Sequence, residues 1–314
     1  MQEKVSVIMS TYREKLEWIE LSVNSILNQS YKNIEFIIVV DDPERSDIVS
    51  KLNEFRKFDN RIKLIINENN QGLVYSLNRA LREVSSDYVL RMDADDVAHE
   101  KRIEKQLEFM NIYDLDLVGC QVTFINEEGN IMFNTSSSMH VKSKYIYQIL
   151  NFQNCIYHPT WLVRTELYKK LGGYRNINYC EDFDFLLRAK NCGAKLSNLN
   201  MPLVLYRYNT SGISRLNKSK QRCITKFMCS QRKNIENIDE NEINMSVKNE
   251  KLLADCEKYY EFSQKAIDEK VRHNYGGMLF YCLKCIFFTK NGRKKLFETL
   301  WDKVFFVIEK FDMN

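Results

Sequence analysis

The sequence predicts an α/β fold: a mostly parallel sheet wound with helices, followed by a C-terminal α-helical region. Three observations carry that expectation. Short apolar runs at Lys4 to Ser10, Ile34 to Val40, Ile62 to Ile66 and Tyr88 to Met92 alternate with segments of helical apolar spacing. These runs are nearly continuous rather than alternating, as in strands buried on both faces of a parallel sheet. From Arg215 onward the chain changes character and long helical patterns take over. The expected organisation is a domain over residues 1–214 and a helical region over residues 215–314.

In chain order, the first run is followed by a turn at Thr11 to Glu14 and by helical spacing through Leu16, Ile19, Val23, Ile26 and Leu27. After the second run comes Asp41-Asp42-Pro43, then a helix from Ser46 to Phe55 with Ser46 as its N-cap. A polar loop, Asn67 to Gly72, separates the third run from a helix over Leu73 to Val84. Beyond the fourth run, His99 to Ile112 reads as a helix and Leu117 to Ile125 as a strand. Glu127 to Asn130 turns, and Ile131 to Phe133 returns as a hairpin arm. A helix over Val141 to Leu150, a strand over Ile156 to Arg164 and a turn at Leu171 to Tyr174 follow. Tyr179 to Arg188 opens an amphipathic helix that Gly193 ends, and Pro202 to Tyr208 is the last strand. Further on, 234–250 reads as an exposed connection, Leu252 to Ile267 and Tyr275 to Phe288 as helices, and Lys290 to Lys295 as a basic turn. Leu296, Phe297, Leu300, Trp301, Val304, Phe305 and Ile308 then recur at helical spacing.

Composition narrows the class. With 314 residues, 44% hydrophobic and 28% charged, the chain is long enough for a substantial core and is neither disordered nor fibrous. A net charge of +4 does not argue for nucleic acid, and no nucleic-acid partner is expected. Nine cysteines without regular spacing, and no signal peptide, predict a reduced cytoplasmic protein. Cys282 and Cys285 have C-x-x-C spacing but no second pair, which is a weak case for zinc. No run reaches the roughly 18 apolar residues of a spanning helix.

The chemistry concentrates at the end of the fourth run, where Asp93, Asp95 and Asp96 crowd together. Like charges this close need a cation or solvent, and Asp93 and Asp95 should face one side by strand alternation. The bland alternative is that Asp95 or Asp96 caps the helix beginning near His99. In doubly wound sheets ligands bind beyond the carboxyl ends of the strands. Ser10-Thr11, Asp41-Asp42 and Asp93-Ala94-Asp95 should gather there. They offer hydroxyls and amides, an acceptor for a base N–H, and carboxylates for a cation, which together suit a nucleoside diphosphate. No G-x-G-x-x-G or P-loop pattern occurs.

Six segments now stand in a meaningful order: VSVIMSTYRE at 5–14, FIIVVDDPERSD at 36–47, NNQGLVYSLNRAL at 69–81, DYVLRMDADD at 87–96, HPTWLVR at 158–164 and EDFDFLLRA at 181–189. Together they resemble the inverting, nucleotide-sugar-dependent glycosyltransferases of GT-A fold, in the large family-2 class. The resemblance covers residues 4–214. It implies that Ser10 and Tyr12, with Glu14 beside them, line the nucleoside pocket, and that Asp42 accepts the N3–H of uracil, favouring a UDP-sugar. It implies that Asp93-Ala94-Asp95 is the family's D-x-D, Asp95 ligating Mn²⁺ or Mg²⁺ and Asp93 holding the ribose or a metal-bound water. Asp182, second of the pair Glu181-Asp182, becomes the general base. Two departures stand out: Asp41-Asp42-Pro43-Glu44 replaces D-D-G-S, and Tyr206-Arg207-Tyr208-Asn209 replaces Tyr-Arg-x-His.

An inverting transfer needs a base on the acceptor side and positive charge by the leaving group. Glu181/Asp182 and Asp93/Asp95 supply the two acidic centres this requires. The expected function is transfer of a sugar from a UDP-sugar to a glycan or lipid-linked glycan acceptor in surface polysaccharide biosynthesis, such as capsule or O-antigen. The competing classes are a nucleotidyltransferase and an inactive sugar-nucleotide-binding or scaffold protein. His158 reads either as a ligand to acceptor or phosphate or as a satisfied surface histidine, Trp161 as core, and Arg207 as a partner of phosphate or of a carboxylate. The basic run Arg215, Lys218, Lys220, Arg222 and Lys226, with the aromatic face beyond it, fits either peripheral contact with an anionic membrane or a packed helical subdomain.

Overall fold

The computed structural model describes residues 3–134, 142–209 and 217–313. Val141, Arg215 and the expected boundary between 214 and 215 lie outside the described residues, as do the side chains of Trp301, Val304, Phe305 and Ile308. Internal contacts divide the chain into two units. The first comprises Met1–Tyr147, Asn154–Asn176 and Phe185–Asn209; the second comprises Gln148–Gln153, Ile177–Asp184 and Thr210–Asn314.

The first unit is built on a mixed sheet, nine-stranded among the described residues, in the order β3-β2-β1-β4-β8-β6-β9-β5 with β7 (Ile131–Asn134) beside β6. Strands β1 (Val5–Thr11), β2 (Ile34–Val40), β3 (Ile62–Ile66) and β4 (Tyr88–Asp93) run parallel. In β1, β2 and β4 the apolar side chains are buried, Val7, Met9, Phe36, Ile38, Leu90 and Met92 with no exposed surface, as strands covered on both faces require, whereas β3 at the sheet edge leaves Ile66 exposed. The helix Leu16–Leu27 buries Trp18, Ile19, Val23 and Ile26 on one stripe. Register sets Ser10 beside both Val39 and Asp93, so the carboxyl ends of β1, β2 and β4 share one edge, as expected.

Elsewhere the elements depart from the sequence reading, each for a local reason. Ser46 is already helical, and Arg45, whose guanidinium grips Asp47, precedes the helix instead. The helix expected from His99 begins at Arg102, because Val97 and Ala98 form a short strand, β5, paired with Leu205 and Val204. Neither Asp95 nor Asp96 therefore caps it. The expected strand at 156–164 divides into a 3-10 turn, His158–Thr160, and a strand, β8, Leu162–Arg164. A helix, Thr165–Leu171, follows that no sequence signal announced. The last strand, β9, starts at Leu196 rather than Pro202, and its pairing with β6 (Leu117–Ile125) shifts register near Gln121.

In the second unit, helices Lys218–Gln231, Glu240–Met245, Glu250–Val271, Tyr275–Phe288 and Lys290–Met313 pack together. The expected basic turn at 290–295 is helical. The Asp255 carboxylate accepts the backbone N–H groups of Lys290 and Asn291, both at 2.8 Å, satisfying donors that a helix start leaves open. Gly292 is required there by close approach, since a Cβ would lie 1.9 Å from the Cys285 carbonyl oxygen. The segment 234–250 is not simply an exposed connection, for Ile235 and Ile243 are fully buried. Arg222, from the expected solvated basic run, is buried and paired with Glu298 at 2.7 Å. All nine cysteines are free thiols. No helix among the described residues is long and apolar enough to cross a membrane.

Candidate active site

Asp93, the last residue of β4, is followed by a tight turn in which the Asp96 N–H reaches the Asp93 carbonyl at 3.4 Å. That turn, not strand alternation, gathers the acids. Carboxylate oxygens of Asp93, Asp95 and Asp96 all lie within 4.8 Å of one another. Asp96, expected either as one of the three crowded carboxylates or as a helix cap, is thus a third member of the cluster. Among the described residues no other group of three or more His, Cys, Asp and Glu converges in this way.

The turn is held from several sides. The Asp93 carbonyl accepts from the Ser22 hydroxyl at 2.9 Å, and the Asp93 carboxylate pairs with the buried Arg91 guanidinium. One Asp96 oxygen accepts the Arg207 N–H at 2.8 Å, and the Arg207 side chain donates to the Asp95 carbonyl at 2.9 Å. Arg207 also donates to the carbonyls of Asn126 and Glu127 and lies over the Trp18 ring. Its side chain braces the turn through these backbone carbonyls. Asn209 lies just beyond, its N–H donating to the Arg207 carbonyl at 3.1 Å.

The electrostatics suit a cation. Burial, then the charges of Asp93 and Glu14, raise the Asp95 carboxyl to about 7. Burial, then Asp95 and Asp93, also push Asp96 well up. The second Asp96 oxygen is buried with no hydrogen-bond partner. Clustered hard oxygens, mutual repulsion and an orphaned buried acceptor fit a divalent ion such as Mn²⁺ or Mg²⁺.

Around this cluster stand the other expected residues of the first unit. Glu14 folds back on the end of β1, accepting from the Thr11 hydroxyl at 2.8 Å and the Tyr12 N–H at 2.7 Å. Arg13 stacks on the Tyr12 ring and approaches the Asp42 carboxylate at 3.9 Å. Asp42 also accepts the Glu44 N–H at 3.2 Å. Its neighbour Asp41 is structural: its buried carboxylate ties down the loop after β3 through Asn67 and the N–H groups of Gln71 and Gly72. Gly72 has φ of 87°, a conformation that favours glycine. Ser10, the penultimate residue of β1, lies next to Asp93, and Ala94 is buried.

His158 is neither a ligand on the surface nor exposed. It is buried among Trp161 and Tyr174, and its Nε2 meets the Tyr174 hydroxyl at 2.8 Å. Trp161 is core, as expected. Burial, then the charge of Arg91, holds the imidazole well below the ordinary histidine value of 6.5. The folded state then binds fewer protons than the unfolded one, so stability is present above that value and lost as pH falls below it. The loss is up to about 1.4 kcal/mol per pH unit. Thermal melts of His158→Phe should show a shallower acid decline than wild type; parallel declines would assign the loss to other groups.

In the second unit, Glu181 and Asp182 open the helix Glu181–Asn191. Asp182 accepts the Phe183 N–H at 2.6 Å. Just before them Tyr179 has φ of 62°, an uncommon conformation for a side chain of this size. Its carbonyl accepts from Gln221 at 2.9 Å, and the Cys180 thiol donates to the Gln221 carbonyl at 3.5 Å. The turn that presents the acidic pair is thereby fastened to the helix Lys218–Gln231. Nothing in the sequence marked Gln221 for this task.

A sequence profile of the family described as "Glycosyl transferase family 2" matches residues 6–172. The O-antigen biosynthesis glycosyltransferase WbnJ of Escherichia coli is 34% identical over 222 residues, covering 70% of this chain and 83% of its own. Among solved structures, S. aureus TarS in complex with UDP-GlcNAc superposes with a TM-score of 0.59 at 14% identity, covering 90% of this chain and 91% of that one. The mannosyltransferase PcManGT of Pyrobaculum calidifontis, in complex with GDP-Man and Mn²⁺, gives 0.58 at 13% identity, covering 91% and 88%. Those two likenesses show the fold, and the profile match and the identity to WbnJ show the lineage: this chain is a glycosyltransferase of GT-A fold and belongs to glycosyl transferase family 2.

Proposed function

We propose that this glycosyltransferase moves a sugar, with inversion, from a UDP-sugar to a glycan or lipid-linked glycan acceptor in surface polysaccharide biosynthesis. The observation that carries this reading is the cluster of Asp93, Asp95 and Asp96 at the strand edge shared by the ends of β1 and β2. Support for the donor class comes from the neighbours crystallised with UDP-GlcNAc and GDP-Man, and for the pathway class from the name of WbnJ. In this reading Ser10, Tyr12 and Glu14 shape the nucleoside pocket, and Asp42 accepts the uracil N3–H. Asp95 and Asp93 hold Mn²⁺ or Mg²⁺, which when bound neutralises charge on the leaving diphosphate. Asp182, with Glu181 beside it, takes the proton of the attacking hydroxyl. The catalytic domain is residues 1–214, and residues 215–314 form the helical region.

A screen of UDP-sugars, with and without Mn²⁺, tests the assignment. UDP release that depends on donor, acceptor and cation is expected. Pyrophosphate release would indicate a nucleotidyltransferase, and donor binding without turnover a scaffold.

A specific observation favours a membrane-surface role for the helical region. The helix Tyr275–Phe288 leaves Tyr275 60% and Phe287 68% exposed, together with Leu279, Phe280 and Phe288. Phe297 and Leu300 are exposed on the next helix. Lys284 lies over the Phe280 ring, and Lys290 and Arg293 are exposed nearby. Apolar rings edged by cations match an anionic bilayer. Deleting 291–314 would be a poor test, since it removes the buried Glu298 that pairs with Arg222. Replacing Leu279, Phe280 and Phe287 by Ser changes only exposed positions. Binding to phosphatidylglycerol vesicles should fall by more than about tenfold, since each inserted large side chain contributes about 1.5–3 kcal/mol. Unchanged binding would refute the membrane role.

A further inference from the structure

Within the second unit two thiols touch. Cys223, on the helix Lys218–Gln231, donates to the sulfur of Cys256, on the helix Glu250–Val271, at 3.4 Å. Both side chains are fully buried, and both are free thiols. The Cys256 sulfur also accepts from the Asn291 side-chain amide at 3.1 Å. Two donors thus point at one sulfur, which favours its thiolate. The hydrogen bond from Cys223 lowers the Cys256 thiol to about 7 against the opposing effect of burial, and the charge of Lys226 adds to the lowering. The same bond, together with burial, raises Cys223 and keeps it protonated. A nucleophilic sulfur in contact with a protonated one is the pairing that oxidation to a disulfide uses. A small oxidant has a way in. Lys226 and Phe227, one turn on from Cys223, and Leu252, one turn before Cys256, line a cavity of about 350 Å³.

The pair is also tied to the turn that presents Asp182. Gln221 and Thr225, on the same helix as Cys223, hold Tyr179 and Cys180. At 3.6 residues per turn, Cys223 stands about 160° around the helix from both. The helix therefore has the acidic turn on one face and Cys256 on the other. A bond between the sulfurs needs them to close from 3.4 Å to about 2 Å. A displacement of about 1 Å is enough to break the 2.9 Å bond from Gln221 to the Tyr179 carbonyl.

We propose that Cys223 and Cys256 are a redox pair that hydrogen peroxide oxidises to a disulfide, and that the bond draws Gln221 and Thr225 off the turn before Asp182. The Cys256 thiolate attacks one peroxide oxygen, the O–O bond breaks, and hydroxide leaves from a sulfenic acid. Cys223 then attacks the sulfenic sulfur, and the hydroxyl departs with the Cys223 proton as water. In sum two thiols are oxidised to one disulfide, one peroxide is reduced, and two waters carry away both thiol protons. The effect on sugar transfer rests on the proposed role of Asp182; the disulfide itself does not.

The test treats the full chain with hydrogen peroxide, blocks the remaining thiols with a maleimide and maps unreduced peptides by mass spectrometry. A peptide pair joined through Cys223 and Cys256 is expected, and dithiothreitol should release it. Wild type with both thiols still free, or with Cys256 oxidised to a sulfinic acid and unlinked, overturns the proposal without any variant having to fold. The consequence has two readouts. Amide hydrogen exchange across 179–184 should speed up by about fivefold on oxidation, the effect of losing one hydrogen bond. Sugar transfer by oxidised wild type should fall by about tenfold and recover in dithiothreitol, whereas Cys256→Ser treated alike should keep its rate. A disulfide that alters neither exchange nor rate overturns the coupling to the turn. Faster exchange with no transfer in either redox state supports the pair and counts against the transferase reading instead.

Discussion

Asp95→Ala is expected to abolish sugar transfer and the Mn²⁺-dependent part of UDP affinity while leaving the metal-free fold at least as stable. The reason lies in what Asp95 does with and without a cation. Without one, it is a crowded carboxyl whose pKa burial and the charges of Asp93 and Glu14 raise to about 7. Removing it takes away repulsion and strips no side-chain partner from the brace, because Arg207 holds the Asp95 carbonyl and not its carboxylate. With a cation, Asp95 is one of three acids within 4.8 Å, and its loss leaves too few hard oxygens to hold the ion against water. Transfer should drop by about 10²–10³-fold or more, as when preorganised stabilisation of developing charge is removed. Three measurements check this: turnover, UDP calorimetry with and without Mn²⁺, and thermal melts in EDTA. Mn²⁺ should raise the melting temperature of wild type and not of the variant. A variant that turns over normally would move the cation elsewhere.

How far such a site can be read from sequence depends on which physical signal marks each residue. The parallel strands are legible as apolar runs: Ile34–Val40, covered on both faces, and Ile62–Ile66, an edge strand that leaves Ile66 exposed, have the bounds the structure shows. Helices Leu16–Leu27 and Tyr275–Phe288 are legible too, from apolar spacing in one and from a dense apolar run in the other. The D-A-D-D run is legible as a charge anomaly, but its geometry is not. Strand alternation would have excluded Asp96, and only the turn after Asp93 brings it in. That turn is set by Arg207, more than a hundred residues away in the chain, and no local pattern reports such a contact. His158 misleads for a related reason. A polar residue before proline looks exposed, yet the aromatic cluster of Trp161, Tyr168, Tyr174 and Phe185 encloses it only in three dimensions. The short helix Thr165–Leu171 carries too few turns for periodicity to register, and β5, two residues long, carries none. Nearly all the missed features are thus long-range: side chains whose partners lie far along the chain.

Asp182→Asn is expected to lower transfer by about 10²–10⁴-fold, the usual worth of a positioned acid–base group, with fold and UDP–Mn²⁺ affinity retained. Asp182 stands in the first turn of a helix whose Phe183, Phe185, Leu186 and Leu187 are buried. The helix start favours negative charge in its first turn. Position then becomes the catalytic requirement, and the local structure supplies it. Tyr179 in its positive-φ conformation turns the chain into the helix, and Gln221 and Thr225 hold Tyr179 and Cys180 in place. A backbone strained by roughly 1–3 kcal/mol persists only where its surroundings over-determine it, and such places cluster at functional sites. Asparagine keeps the size and the acceptor oxygen that receives the Phe183 N–H, so the turn survives and only proton removal is lost. Measuring turnover beside UDP affinity for this single variant separates the two effects. A rate within a few-fold of wild type would take Asp182 out of the mechanism and pass the role to Glu181, since Asp184 is fully buried. Gln221→Ala provides the companion measurement. It removes the bond to the Tyr179 carbonyl without touching a carboxylate, and should lower the rate by about tenfold if placement of the base governs it.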